Sequence, residues 1–194
     1  KFRCFLVGVD QAKNIFKKNK DLIFLNNFFN FSKGKEIRKK FGKFDLIFAR
    51  NVLAHVTDPN EIFKGAKELL LDNGVFIVEV PHLLPILKNL QYDNVFHEHQ
   101  GFHSIKSIKD LSTKNGLYLN NVELIKSQGG SIRCDIRKYN KNINKKVLTF
   151  LDFEKKNNLF DVNFLKKYKN KILDHNKNLL SFLKKLKDKG KKIS

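Results

Sequence analysis

The feature that most constrains this chain is a rhythm of short apolar runs, each closed by Gly, Asn or Asp and followed by a helical pattern. Phe5 to Val9 is closed by Gly8-Val9-Asp10, and residues 11–19 read as a helix. Leu22 to Leu25 is closed by Asn26-Asn27, and 33–41 is helical. Phe44 to Ala49 precedes an amphipathic helix over 58–71, with Asp58 as cap and Pro59 at its first position. Asp72-Asn73-Gly74 reads as a turn before a fourth run, Val75 to Val80. Strands that alternate with helices at this spacing imply a parallel sheet with crossover helices, an α/β fold.

The pattern then changes. Residues 104–115 read as a helix ended by Asn115-Gly116. Runs at 117–126 and 130–139, separated by Gln128-Gly129-Gly130, read as an antiparallel hairpin at the edge of the sheet. From about 142 the chain is helical. Leu165, Ile172, Leu179 and Leu186 recur every seven residues, with Tyr168 and Phe182 on the same side. That stripe implies packing onto the rest of the protein, with a homodimeric coiled coil as the alternative.

Composition narrows the function classes. The net charge of +20 could attract nucleic acid or an anionic surface, but 16 Lys against 5 acids fall within 141–194. There they read as a solvated helix face, because nucleic-acid sites usually add Arg and exposed aromatics. No run approaches the ~20 apolar residues of a membrane span, and no secretory signal pattern is present at the start. Cys4 and Cys134 lie in apolar runs and read as buried thiols of a reducing, cytoplasmic compartment. No metal site is expected among these residues. A chain that opens on Lys and has no Met reads as a processed product or a fragment.

The stretch 91–104 concentrates chemistry. It holds His97, Glu98, His99 and His103, four of seven consecutive positions, in a chain with six histidines. Imidazole exchanges protons near neutral pH, and a neighbouring carboxylate can orient it. The cluster is a candidate general base; a solvated polar loop is the alternative. In an extended segment His97 and His99 would point the same way, so spacing does not choose between them.

Six segments occur in order: Gly8-Val9-Asp10, Asn27-Phe28-Phe29, Ala49-Arg50-Asn51-Val52-Leu53-Ala54-His55-Val56, Glu79-Val80-Pro81, Phe96-His97-Glu98-His99 and Gly129-Gly130-Ser131-Ile132-Arg133. Over nearly the whole chain this series resembles the S-adenosylmethionine-dependent C-methyltransferases that act on nucleotide-linked 4-keto deoxysugars. The resemblance implies a partial class I methyltransferase sheet over 1–140, lacking the first strand and its Gly-rich loop. It also implies a helical segment over 141–194 leading to a further domain, and zinc only in an N-terminal module outside this chain. The absent strand would lie between the strands at 4–9 and 44–49, leaving those two unpaired and the fragment alone inactive and poorly stable.

The resemblance also implies roles. Asp10 would hold the cofactor ribose, Asn27 and Phe28 the adenine, and Arg50 and Asn51 would lie by its methionine part. Asp10 could equally cap the helix that follows it. His99 would be the base, with Glu98 in support. Glu79, His82, Phe96, His97, Gly129, Gly130 and Arg133 would lie on the side of the nucleotide-sugar substrate, Arg133 near its phosphates. The family often has Tyr at the position of Phe96 and His at that of Gln128. A monomer that binds neither nucleic acid nor membrane is expected, a homodimer being the alternative. A nucleic-acid methyltransferase and a non-catalytic module on the same fold remain the competing functions.

Overall fold

The first two apolar runs become β1 (Leu6–Asp10) and β2 (Leu22–Asn26), paired in parallel from Leu6 opposite Leu22 to Asp10 opposite Asn26. The structure is a computed structural model that describes residues 4–12, 22–139 and 144–192. From residue 13 onward the helix expected over 11–19 lies outside the described residues, as do Ile193 and Ser194 at the end of the helical segment expected over 141–194. Asn30 accepts from the Lys33 amide and starts α1 (Phe31–Phe41). Asp58 accepts from the Asn60 amide and starts α2 (Pro59–Leu69), with Pro59 in its first turn. The two helices cross closely, since a Cβ on Gly34 would lie 2.9 Å from the Gly65 Cα.

A second sheet has the order β3-β4-β6-β5. β3 (Phe44–Arg50) and β4 (Leu70–Pro81) run parallel, and β6 (Ser131–Arg137) is antiparallel to both β4 and β5 (Tyr118–Ile125). This is the mixed α/β sheet with an antiparallel hairpin that the sequence implies. β1 and β3 share no hydrogen-bonded ladder. An apolar cavity of about 310 Å³ lies between them, lined by Phe5, Val7, Val9, Leu46 and Phe48. The expectation that these two strands stay unpaired holds.

Three expectations are corrected. Asp72-Asn73-Gly74 is not a separate turn but part of the 12-residue β4. Leu70 is fully buried as soon as α2 ends, so the chain enters the sheet early, and the ladder absorbs the extra residues by a register shift between Phe44 and Leu46. The expected C-terminal helical segment holds two long helices, α5 (Lys145–Lys156) and α6 (Val162–Asp188). Asn158 at φ 53° and the cap Asp161 divide them. No residue of α6 is buried; of the expected stripe Leu165, Leu179 and Phe182 are exposed, while Tyr168, Ile172 and Leu186 are half-buried together with Phe164. Cys4 precedes β1 and is exposed, whereas Cys134 in β6 is buried.

The core fills one face of the second sheet. Phe76, Val78 and Val80 of β4 and Ile132, Cys134 and Ile136 of β6 are buried beneath α2, α4 (Ile105–Lys114) and α5. Burial pushes the Cys134 thiol pKa far up, which leaves it a small apolar side chain. Among the described residues no helix is long and apolar enough to cross a membrane.

Candidate functional site

The cleft at the carboxyl ends of β3 and β4 is where ligands bind in open α/β sheets. It measures about 550 Å³ and is lined by Asn51, Ala54, His55, Pro81, Gln91, Asp93, Asn94, Phe96, His99, Gln128 and Gly129. Three segments build it. The turn after β3 supplies Asn51, at φ 52°, and His55; Asn51 is pinned by its amide, which donates to the Glu79 carbonyl at 2.8 Å. The segment after α3 (Leu83–Lys88) supplies 91–99, and the β5–β6 turn supplies Gln128 and Gly129. Gln128 and Gly129 have positive φ, and a Cβ on Gly129 would meet the Gln91 amide at 2.6 Å. At φ 76° Gly129 holds a left-handed conformation that glycine adopts without strain.

Two imidazoles face this cleft with their rings 4.9 Å apart. His99 Nδ1 lies 2.7 Å from the Asn94 carbonyl, and His55 Nδ1 lies 3.1 Å from the Glu98 carbonyl. A carbonyl only accepts, so each Nδ1 carries the hydrogen, and it is Nε2 that holds the lone pair when the ring is neutral. Phe96 stacks on His99 at 4.1 Å between ring centroids and fixes the plane of that ring. Gln91 Nε2 donates to the Gly129 carbonyl at 3.2 Å, while its buried Oε1 has no partner among the described residues. A buried acceptor left open in a cleft suits a ligand hydroxyl.

The segment 96–99 is a turn, closed by the His99 amide on the Phe96 carbonyl at 3.0 Å, and not an extended strand. His97 and His99 therefore do not share a direction. The His97 side chain is 90% exposed, and it meets the exposed Glu98 carboxylate at 3.8 Å, away from the cleft. The group that orients His99 is the Asn94 carbonyl rather than Glu98.

His82 also lies off the cleft. It is buried, and its Nε2 donates to Glu154 Oε1 on α5 at 2.8 Å. The same carboxylate accepts the Ile105 and Lys106 amides at 2.6 and 3.1 Å, at the start of α4. His82 is thus an anchor between α3, α4 and α5. Gly130 sits behind the cleft, its carbonyl accepting the His82 amide. His103 is buried too, with Nε2 donating to the Leu53 carbonyl, and burial holds its pKa below the ordinary value.

Arg50, Glu79 and Arg133 form a row across β3, β4 and β6: the buried Glu79 carboxylate pairs with Arg50 Nε at 3.0 Å and accepts from Arg133 Nε and Nη2 at 3.3 and 3.2 Å. At the ends of β1 and β2, the Asp10 carboxylate is exposed and accepts the Ala12 amide through Oδ1. Asn27 donates its amide to the Asp10 carbonyl, and the Phe28 ring is 64% exposed beside it. An exposed carboxylate next to an amide side chain and an exposed ring suits a nucleoside: vicinal hydroxyls on the first, a base on the others.

The sequence reading singled out His99, Phe96, Asn51 and Gly129, which the fold does bring together. It passed over His55, Gln91 and Asn94. His55 stood inside a quoted segment, and Gln91 opens the histidine-rich stretch, but their roles come from contacts spanning dozens of residues.

A family model described as a methyltransferase domain matches residues 6–122, and one described as a C-methyltransferase C-terminal domain matches residues 126–194. The C-methyltransferase NovU of Streptomyces niveus is 36% identical over 129 residues, which are 66% of this chain and 31% of that relative. The chain therefore spans about a third of the curated relative it matches. A SAM-dependent methyltransferase from Anabaena variabilis superposes with a TM-score of 0.53 at 10% identity, covering 68% of this chain and 67% of that one. Human N-acetylserotonin methyltransferase in complex with SAM gives 0.52 at 16%, covering 71% and 41%. At these identities the structural likeness is one of fold.

Proposed function

This chain belongs to the methyltransferase-domain family, and on that premise we propose that it carries the cofactor pocket and base of an S-adenosylmethionine-dependent C-methyltransferase whose substrate is a nucleotide-linked keto-deoxysugar. The observation that carries the reading is the pair of imidazoles with open Nε2 lone pairs in the cleft at the strand ends.

A carbon next to a ketone loses a proton to a positioned base, and the resulting enolate is a carbon nucleophile. When bound, S-adenosylmethionine supplies an electrophilic methyl group. His99 Nε2 takes the proton, while the bond from Nδ1 to Asn94 keeps the tautomer correct and stabilises the imidazolium that forms. Asn51 and Gln91 present amides to the sugar, and the Gln91 Oε1 accepts one of its hydroxyls. Asp10 holds the cofactor ribose through its exposed carboxylate, and Asn27 and Phe28 border the adenine. Similarity to a protein named C-methyltransferase supports carbon as the acceptor atom.

His55 favours a second reading of the base, because it has the same tautomer and is the more exposed of the two rings. Full-length protein incubated with nucleotide-keto-sugars in deuterated water, without methyl donor, separates the two. His99→Gln should slow exchange at the substrate carbon by ~10²–10⁴, and His55→Gln by much less. Exchange at the parent rate in His99→Gln would move the base to His55. Absence of both exchange and methyl transfer in the parent would sink the keto-sugar reading.

A further inference from the structure

Positive charge gathers at the pole of the four-stranded sheet opposite the histidine cleft. A basin of about 850 Å³ opens there, beside the amino ends of β3 and β4. Its lining includes Arg38 of α1, Lys43 just before β3, Lys64 and Lys67 of α2, Lys114 of α4 and Lys138 after β6. Two carboxylates share the lining, Glu68 and Asp72, so six cations face two acids. The seven residues of β3 separate this basin from the histidine cleft, a span of about 20 Å.

The cations are not equivalent. Arg38 pairs with Glu68, Lys138 with Asp72 at 3.2 Å and Lys64 with Glu61 at 3.1 Å. The side chains of Lys43, Lys67 and Lys114 make no hydrogen bond or ion pair among the described residues. The Lys67 ammonium is nonetheless placed. It lies against Gly116, where an added Cβ would come within 2.5 Å of Nζ. Gly116 follows the end of α4 at φ 66°, and its bare Cα leaves that space to the ammonium. The wall beside it is fixed, because Asn115 Nδ2 donates to Asn60 Oδ1 at 3.1 Å and to the Leu111 carbonyl at 2.8 Å. The fold thus carries three unpaired ammonium groups, from positions 43, 67 and 114, to one concave surface. Like charges around a concavity repel one another and focus a positive potential inside it. A bound polyanion turns that repulsion into attraction.

We infer that this basin is a second ligand site, separate from the histidine cleft, and that it takes an oligophosphate, a chain of two or more phosphoryl groups. Lysine meets phosphate as a point charge on a flexible stem, which suits several oxygens spread along such a chain. The volume fits a molecule of nucleotide size. The half-exposed Tyr139 ring belongs to the lining, and the base of a nucleotide would stack there. Inorganic polyphosphate is the other source of the same chemistry. A nucleic-acid strand fits less well, because a strand follows a charged track along a surface and these charges converge on a pocket.

Calorimetric titration of the full-length protein tests this with inorganic tripolyphosphate, adenosine triphosphate and a single-stranded oligonucleotide. The parent should bind tripolyphosphate. Joint replacement Lys43→Gln, Lys67→Gln and Lys114→Gln should weaken that binding by about ten- to a hundredfold. Lys184→Gln, Lys185→Gln and Lys187→Gln together remove the same charge from α6 and should leave the affinity at the parent value. Adenosine triphosphate binding more tightly than tripolyphosphate, with the difference lost in Tyr139→Ala, would identify the ligand as a nucleotide; equal affinities would identify it as the phosphate chain alone. Equal losses in the two triple variants would mean that overall charge attracts the anion, and would overturn the site. So would a parent that binds no tripolyphosphate, or one that binds the oligonucleotide more tightly than either phosphate compound. If the triple variant in the basin fails to fold, Lys43→Gln with Lys114→Gln, which spares the Lys67 contact with Gly116, carries the same test.

Discussion

The two faces of the four-stranded sheet are built from the same strands by opposite rules. On the helix-covered face Phe76, Val78 and Val80 of β4 and Ile132, Cys134 and Ile136 of β6 are sealed, and the buried Glu154 is paired with His82 and two amides. On the other face Leu46 and Phe48 are more than half exposed, and the charged row replaces apolar packing near the strand ends. Side chains alternate along a strand, so neighbouring residues of β4 obey different rules: Val78 is core, Glu79 is an electrostatic hub and Val80 is core again. Stability is concentrated on one side of the sheet and recognition on the other.

Substitutions in the full-length protein can break that comparison. The largest loss should come from Glu154→Ala, which strands three donors; at about 1–3 kcal/mol for each unsatisfied donor the cost is on the order of 5 kcal/mol, read as a drop in urea midpoint or as failure to fold. Next, Phe76→Ala empties a site beside the Phe63 ring, 5.4 Å away in edge-to-face contact. It should cost about 3–5 kcal/mol, while Phe48→Ala on the open face should cost under about 1 kcal/mol. If both phenylalanine variants lost the same amount, the two faces would be alike and the contrast wrong. Ser104 accepts the Ser107 amide and Ser107 reciprocates; Ser104→Ala should cost about 1 kcal/mol, measured in the same way.

The smallest effect is set by pH. Burial, only partly opposed by the bond to Leu53, depresses the His103 pKa below 6.5. The unfolded chain therefore binds a proton that the folded chain resists. Stability should be intact above pH 6.5 and decline as pH falls from there through the folded-state pKa. A series of urea midpoints between pH 7.5 and 5 should fall less steeply in His103→Gln than in the parent. An unchanged slope would put the acid sensitivity elsewhere.

What the sequence revealed follows this division. Caps, periodicity and turn residues act over a few positions, so α2, α4 and the hairpin were legible from Asp58-Pro59, Asn115-Gly116 and Gln128-Gly129-Gly130. The short α3 was not, because six residues, Leu83–Lys88, are too few to show a period. The break before α6 hid within a Lys/Asn-rich stretch that reads as continuous helix. His82 was grouped with the substrate residues because its partner, Glu154, is 72 positions away, and its burial depends on that contact. The histidine-rich stretch was found, but its partition into a cleft residue, an exposed residue and a buried one depends on the turn at 96–99. His55 became visible only when the fold set it against His99.

The 27-residue helix α6 is a rod of about 40 Å, and it touches the rest of the protein at few points. Tyr168 rests with the Leu84 and Leu87 cluster. Tyr92 donates its hydroxyl to Asn176 at 3.0 Å and meets the His175 ring at 5.9 Å. Two residues beyond Tyr92 is Asn94, whose carbonyl aims His99. The rod and the imidazole are therefore mechanically in series, linked through one short stretch of backbone. A load applied at the far end of α6 acts on that stretch with the leverage of a long arm on a near fulcrum, and a tilt of a few degrees would be felt as torque on the ring.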